Sequence, residues 1–188
     1  MLKDLVLRNR SYRRFYQSEP ISETQLRDWI DLARNSASAR NAQSLKYMMI
    51  FDPRLNAQIF EQLSWAGYLT NWNGPEEGER PSAYILMLND NSISGNYFCD
   101  DGIAIQSILL GAVEAGFGGC IIHSVNRPKL REIVNLPEQF EILHVIALGK
   151  PKETVVLEEM KAGDIKYWRD ENQVHHVPKR PLDEIILT

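Results

Sequence analysis

The chain has 188 residues, of which 44% are hydrophobic, 24% charged and 9% aromatic, and its formal net charge is −4. A chain of this length can bury a sizeable core without metals or disulfides, and the composition excludes disordered, collagen-like and disulfide-stapled classes. The acidic balance argues against nucleic acid as a partner, because phosphate contacts need a basic field.

Cys99 and Cys120 have neither metal-ligand nor redox spacing, and they read as reduced thiols. The opening MLKDLVLRNR lacks the apolar stretch of a signal peptide. The longest apolar run, Ile103 to Val113, is broken by Gln106 and Ser107 and is too short to cross a bilayer. These features predict a cytoplasmic protein with no membrane partner.

Residues 2–9 carry Leu2, Leu5 and Val6 on one face of a short helix, followed by a basic turn with Arg8, Arg10, Arg13 and Arg14. Ser22 and Gln25 have capping-box spacing. Leu26, Trp29, Ile30 and Ala33 then recur at helical intervals. After the polar loop NSASARNAQS, Lys46 to Phe51 reads as a strand closed by Asp52-Pro53, and residues 54–66 carry helical spacing at Leu55, Ile59, Phe60 and Leu63. Trp65 to Arg80 mixes aromatics with glycine, asparagine and glutamate and reads as a surface excursion within one domain spanning 1–188.

Ala83 to Leu88 reads as a buried strand. Asp100 or Asp101 starts a helix to Ala115 that is apolar nearly all round, with Gly116 as its cap. Its Ile103, Ile105, Ile108, Leu109 and Val113 predict a surface too apolar to leave in water, hence a subunit interface. Gly119 to Ser124 is a further strand, Pro128 opens a helix to Val134, and Ile142 to Leu148 is an apolar strand ended by Gly149-Lys150-Pro151. The tail is polar up to Pro181. Strands separated by helices predict an α/β chain with a mixed, mainly antiparallel sheet flanked by helices.

Arg10, Ser11 and Arg13 combine guanidinium forks with a hydroxyl, which suits a phosphate, although a solvated basic surface has the same composition. Ser38, Asn41 and Gln43 place hydroxyl and amide groups where they can read a heterocycle's edge, or simply connect helix to strand. His175-His176 offers no metal site, because neighbouring histidines point apart, and His144 reads as a satisfied core histidine. Gly116, Gly118 and Gly119 do not form a dinucleotide-binding motif. There is no phosphate-binding P-loop, no nucleophile elbow and no marked pair of carboxylates.

Three separated stretches resemble the nitroreductase family of FMN proteins. NRSYRRF at 9–15 is similar to that family's Arg-Ser-x-Arg-x-Phe signature, and SASARNAQSLKY at 36–47 to its Pro-Ser-x-x-Asn-x-Gln-Pro-Trp loop. The third stretch comprises DGIAIQSILLGAVEAGFGGCIIHS, LPEQFEILHVIALGKPKE and HHVPKRPLDEI, in the family's order. The resemblance implies an α+β nitroreductase-like fold in an intertwined homodimer, with FMN as cofactor and NADH or NADPH as electron donor. The acceptors it implies are nitroaromatic, quinone or related electron-poor small molecules, reduced by a ping-pong hydride mechanism.

By the same resemblance, Arg10, Ser11 and Arg13 hold the ribityl-phosphate, and Lys179, with Arg180 as a substitute, closes on it. Ser38, Asn41 and Gln43 reach the flavin from the partner subunit. Ile121, Ile122, His123 and Ser124 lie along the isoalloxazine. No catalytic side chain and no metal are implied, since the flavin carries the chemistry. Ala37 stands in place of a proline, Ser44-Leu45 in place of Pro-Trp, and His123-Ser124 in place of a glycine-rich step; these departures bear on substrate preference. A specialised flavoenzyme of the same fold and a non-enzymatic flavin-binding protein are the alternatives, and an aromatic lid over 65–80 is an open question.

Overall fold

The computed structural model describes residues 1–187. The chain begins with α1 (Leu2–Arg8), β1 (Phe15–Tyr16) and α2 (Glu23–Arg34). Helix α2 starts where the sequence predicts: the Ser22 side chain accepts from the Gln25 backbone and the Gln25 side chain reaches back, a complete capping box. A short 3-10 turn, Ala39–Asn41, leads to β2 (Leu45–Ile50) and α3 (Pro53–Phe60), which Asp52 caps through the backbone N–H groups of Arg54 and Leu55. Helix α3 is shorter than the periodicity predicts. Beyond it, Asn126 N donates to Gln62 O at 2.9 Å and Ser64 N to Ser124 O at 2.9 Å, so this stretch pairs with a neighbouring segment instead of continuing the helix.

The main sheet contains β3 (Ala83–Asp90), β4 (Gly118–Ile122) and β5 (Phe140–Pro151) together with β2 and β1. All its pairings are antiparallel, with β5 between β3 and β4 and β1 on the far end of β5. Gly149 does not end β5. A Cβ there would come within 2.7 Å of Phe15, and its absence lets the strand run on to pair with β1. The parallel element lies elsewhere, in a small sheet formed by β6 (Val155–Glu159), β7 (Trp168–Arg169) and β8 (His175–Lys179), where β6 runs parallel to β8. This sheet falls in the tail read as merely polar.

Strand β3 is buried at every position, and its side chains alternate between two cores. Ile85 and Met87 pack with Leu26 and Trp29 of α2 and with Ile105 and Ile108 of α4 (Asp100–Glu114). Tyr84 and Leu86 pack on the other face with Ile59, Trp65 and Leu130 of α5 (Arg127–Ile133). Helix α4 crosses α2 closely at Gly111, where a Cβ would lie 2.5 Å from Leu32 Cδ1. It ends in a Schellman cap: Phe117 N donates to Ala112 O and Gly116 N to Val113 O, with Gly116 at φ +80°. The chain closes with α6 (Leu182–Ile185).

The apolar character of α4 has a different cause from the one expected. Ile105, Ile108, Leu109 and Val113 are buried within the single chain, and Ile103 alone of the five is exposed, at 39%. Those four side chains pack between α2 and the sheet, so they are core and do not by themselves call for a partner subunit. Exposed apolar residues are spread along the chain, and one group lies near its two ends, among them Leu2, Leu7, Leu182 and Ile185.

Candidate functional site

The segment following α1 lies along the edge of β4. Ser11 pairs in parallel with Gly119, and Tyr12 N donates to Gly119 O at 3.0 Å. This approach requires Gly118, where a Cβ would come within 2.5 Å of the Tyr12 ring, while a Cβ on Gly119 would meet Ala147 O of β5 at 2.6 Å. Of the glycines that fail as a dinucleotide motif, Gly118 thus lets the arginine segment sit against the sheet.

A cavity of about 330 Å³ opens beside this contact, lined by Arg10, Ser11, Arg13, Gly119, Ile121 and Lys179 among others. Arg10 Nη2 donates to Val6 O at 2.7 Å, and its Nε is buried without a partner. Arg13 is held from several sides. Its backbone N–H donates to Glu153, its Nη1 donates to Ser11 O at 3.1 Å and lies 3.2 Å from His175 Nε2, and its guanidinium sits 4.8 Å from the Tyr167 ring centroid. An unpartnered guanidinium N–H beside a second arginine and a lysine is an arrangement for a doubly charged anion such as a phosphate.

The cavity also brings in residues that the sequence did not single out. His175 and Tyr167 form part of its wall. Glu153, whose side chain is fully buried, joins the Arg13 backbone to Arg169 Nη2 at 2.9 Å. Burial first, and then the charges of Arg13 and Arg169, push the His175 imidazole down to about 4, so it is neutral near pH 7. The adjacent histidines do point apart: His176 turns out to Glu158 at 2.5 Å and stacks on Trp168 at 4.0 Å. That alternation was the available signal, since it gives β8 one inward-facing histidine.

The remaining sequence-predicted residues divide. Arg180 is exposed, pairs with Glu184 and does not line the cavity. Ile121 is 46% exposed on the cavity side of β4, whereas Ile122 is buried in the opposite core. His123 and Ser124, just past the strand, line a second cavity of about 220 Å³ together with Arg13, Ile121 and Ile122. Ser38 and Gln43 border a separate cavity of about 200 Å³ and share no lining residue with the arginine cavity.

In that separate loop, Ser38 Oγ donates to Asp100 Oδ2 at 2.6 Å and accepts from Gln43 N at 3.0 Å, while Asp100 Oδ1 accepts from Ala39 N at 2.9 Å. Arg40, Asn41 and Gln43 all adopt left-handed backbone, with φ of 55°, 52° and 52°. Such strain in non-glycine residues is typical of segments shaped for recognition. Burial, with Asp100 nearby, pushes the Tyr47 hydroxyl up to about 12.

The excursion is fastened to the body. Trp65 is buried, and Trp72 packs against the second core beneath Arg169, whose guanidinium lies 4.2 Å from its ring centroid. Glu79 binds Arg14 at 2.5 Å and Lys152 at 2.8 Å, and these hydrogen bonds bring its carboxyl down to about 2. Tyr68 is exposed, with its ring 4.9 Å from that of Tyr167. Among the described residues no group of three or more His, Cys, Asp or Glu is placed to hold a metal, and no helix is long and apolar enough to cross a membrane.

An antiparallel sheet covered by helices on both faces, with an arginine-lined cavity at its edge strand, defines an α/β protein. The model of the nitroreductase family matches residues 81–150. A curated Archaeoglobus fulgidus protein, provisionally named an NADH dehydrogenase/NAD(P)H nitroreductase, is 25% identical over 148 residues, covering 74% of this chain and 80% of the relative. Two solved structures share the fold. The nitroreductase family protein from Streptococcus pneumoniae has a TM-score of 0.72 at 15% identity over 100% of both chains. The NADPH:FMN oxidoreductase from Vibrio harveyi has a TM-score of 0.62 at 21% identity, over 80% of this chain and 68% of that one. The chain is thus similar to the nitroreductase family over the matched residues, and it shares its fold with these solved structures.

Proposed function

We propose that the protein is an NAD(P)H-dependent FMN oxidoreductase that reduces nitroaromatic, quinone or related electron-poor small molecules by a ping-pong hydride mechanism. The observation that carries this reading is the cavity at the edge of β4, where Arg10, Ser11, Arg13 and Lys179 converge and Arg10 Nε is buried without a partner. The residues fit the phosphate end of FMN: two guanidinium groups, an ammonium and a hydroxyl meet its charge and its acceptor oxygens. When bound, the flavin supplies the hydride transfer.

The chain's own part is to bind and orient. Glu153 fixes the Arg13 backbone, and Tyr167 and His175 hold its guanidinium. Ile121 offers an apolar, exposed surface next to the anion site. The strained Ser38–Gln43 loop lies outside this cavity, in accord with its serving the site of a partner subunit in a homodimer. The exposed Leu182 and Ile185 near the C-terminus are available for that interface.

Titration of the protein with FMN and with riboflavin tests the reading. FMN binds, riboflavin binds much more weakly because it lacks the phosphate, and Arg13→Ala weakens FMN binding at least tenfold, consistent with a charged hydrogen bond worth about 1.5–3 kcal/mol. Equal affinity for FMN and riboflavin, or no binding of either, contradicts it.

A further inference from the structure

Beyond the arginine cavity, a second polar cluster lies where β4 ends. His144 of β5 places Nε2 2.9 Å from Asp101 Oδ2, in the first turn of α4. Its other ring nitrogen, Nδ1, lies 3.4 Å from Nδ1 of His123. Arg127 is anchored to the carbonyls of Ile142 and Leu143, each at 2.9 Å, and brings Nη2 to 3.4 Å from the same His123 Nδ1. His123 is exposed, and no partner for its Nε2 is found among the described residues.

Donor and acceptor rules constrain this chain of contacts. A carboxylate only accepts, so His144 Nε2 carries a proton. Arginine only donates, so His123 Nδ1 is best met as an acceptor. Two bare Nδ1 atoms cannot bond to each other, so the Nδ1–Nδ1 contact is a hydrogen bond only when one of them carries a proton, and a proton held there on His144 lies on the ring that Asp101 grips from its other side. The other charged and titratable groups around the cluster are Arg127 on α5, Glu141 on β5 and Tyr97.

The cluster also stands beside the anion site. His123 lines the 220 Å³ cavity, which shares Arg13 and Ile121 with the 330 Å³ cavity. From Gly119 in the arginine cavity to His123 is four residues of extended chain, about 13 Å.

We propose that Asp101, His144 and His123 form a proton relay that ends beside the cofactor cavity and supplies the proton accompanying each hydride equivalent given to an acceptor; this rests on the oxidoreductase reading above. The balance is simple. A quinone-class acceptor gains one hydride equivalent, which originates in NAD(P)H, and one proton. That proton leaves His123 Nε2, the proton on His144 Nδ1 passes to His123 Nδ1, and His144 keeps its Nε2–H on Asp101. Solvent then returns one proton to the pair. His123 is the proton donor, and His144 and Asp101 are positioning residues.

The test compares two acceptors in the FMN-loaded protein: a quinone, which needs protons, and ferricyanide, which takes electrons alone. Asp101→Asn keeps an oxygen for Gly102 N, which Asp101 Oδ1 now accepts from at 2.8 Å. It lowers the ratio of quinone to ferricyanide turnover at least tenfold, and the loss deepens as pH rises. His123→Ala lowers the same ratio, and added imidazole restores it. In the cofactor-free protein, nitrogen NMR of the imidazoles shows a hydrogen bond between His123 Nδ1 and His144 Nδ1, and Asp101→Asn abolishes it. Unchanged ratios with active ferricyanide reduction, or no such hydrogen bond, overturn the relay. Absence of ferricyanide reduction by the wild type overturns the oxidoreductase reading instead.

Discussion

Arg13 Nη1 lies 3.2 Å from His175 Nε2, and arginine can only donate, so His175 presents a lone pair there and carries its own proton on Nδ1. The cavity's central cation is thus held by a neutral histidine, 1% exposed, which could not take a second proton without placing two cations in contact.

This arrangement has a pH consequence with a definite sign. The imidazole moves from 6.5 down to about 4 on folding, so between those values the unfolded chain binds the additional proton. Its contribution to stability is complete above about 6.5 and is lost as pH falls toward about 4. With ~1.4 kcal/mol per pKa unit, the loss is on the order of 3 kcal/mol. His175→Gln, which retains an oxygen to accept from Arg13, removes that part of the slope. Urea unfolding of both proteins at several pH values checks this; parallel stability curves between pH 6.5 and 4 contradict it.

Trp72 and Tyr68 separate the structural and functional parts of the excursion. Trp72 is clamped between Arg169 and the second core, so Trp72→Ala lowers stability by about 3 kcal/mol, in the range of large-to-small core substitutions. Tyr68 is exposed against Tyr167 of the cavity wall, so Tyr68→Ala leaves thermal stability nearly unchanged and alters KM for the acceptor. Calorimetry and steady-state kinetics on the two variants check both. The opposite pattern, a stable Trp72→Ala with altered selectivity, would make Trp72 the lid.

Ile185 is 61% exposed in α6 and Leu182 is 65% exposed. If these side chains pack on a second subunit, Ile185→Asp shifts the mass measured by light scattering at micromolar concentration from dimer toward monomer and weakens FMN binding with it. A wild-type monomer that still holds FMN contradicts a shared site.

Helices α1 to α5 and strands β2 to β5 were legible because their signals are local. The Ser22 capping box, the Asp52-Pro53 start of α3 and the Gly116 cap each act within a few residues. The arginine-lined cavity was legible in part for the same reason, since Arg10, Ser11 and Arg13 are close in sequence. Its remaining wall was not. His175 and Tyr167 meet Arg13 only because β8 folds back beside β6, and Glu153 reaches the Arg13 N–H across 140 positions of sequence. The misreading of α4 has a similar cause: an all-round apolar helix looks the same whether its second face meets α2 or a partner subunit. His144 was read as a satisfied histidine, and it is, but its partner Asp101 lies 43 positions away and could not be named.

The central claim is that this chain passes electrons from a nicotinamide to an acceptor through FMN held at the Arg10–Arg13 cavity. The most direct measurement is anaerobic visible spectroscopy of the FMN-loaded protein. NADH or NADPH bleaches the yellow flavin, and a quinone added afterwards restores the colour in stoichiometric amount. A loaded protein that stays oxidised in the presence of both nucleotides contradicts the account.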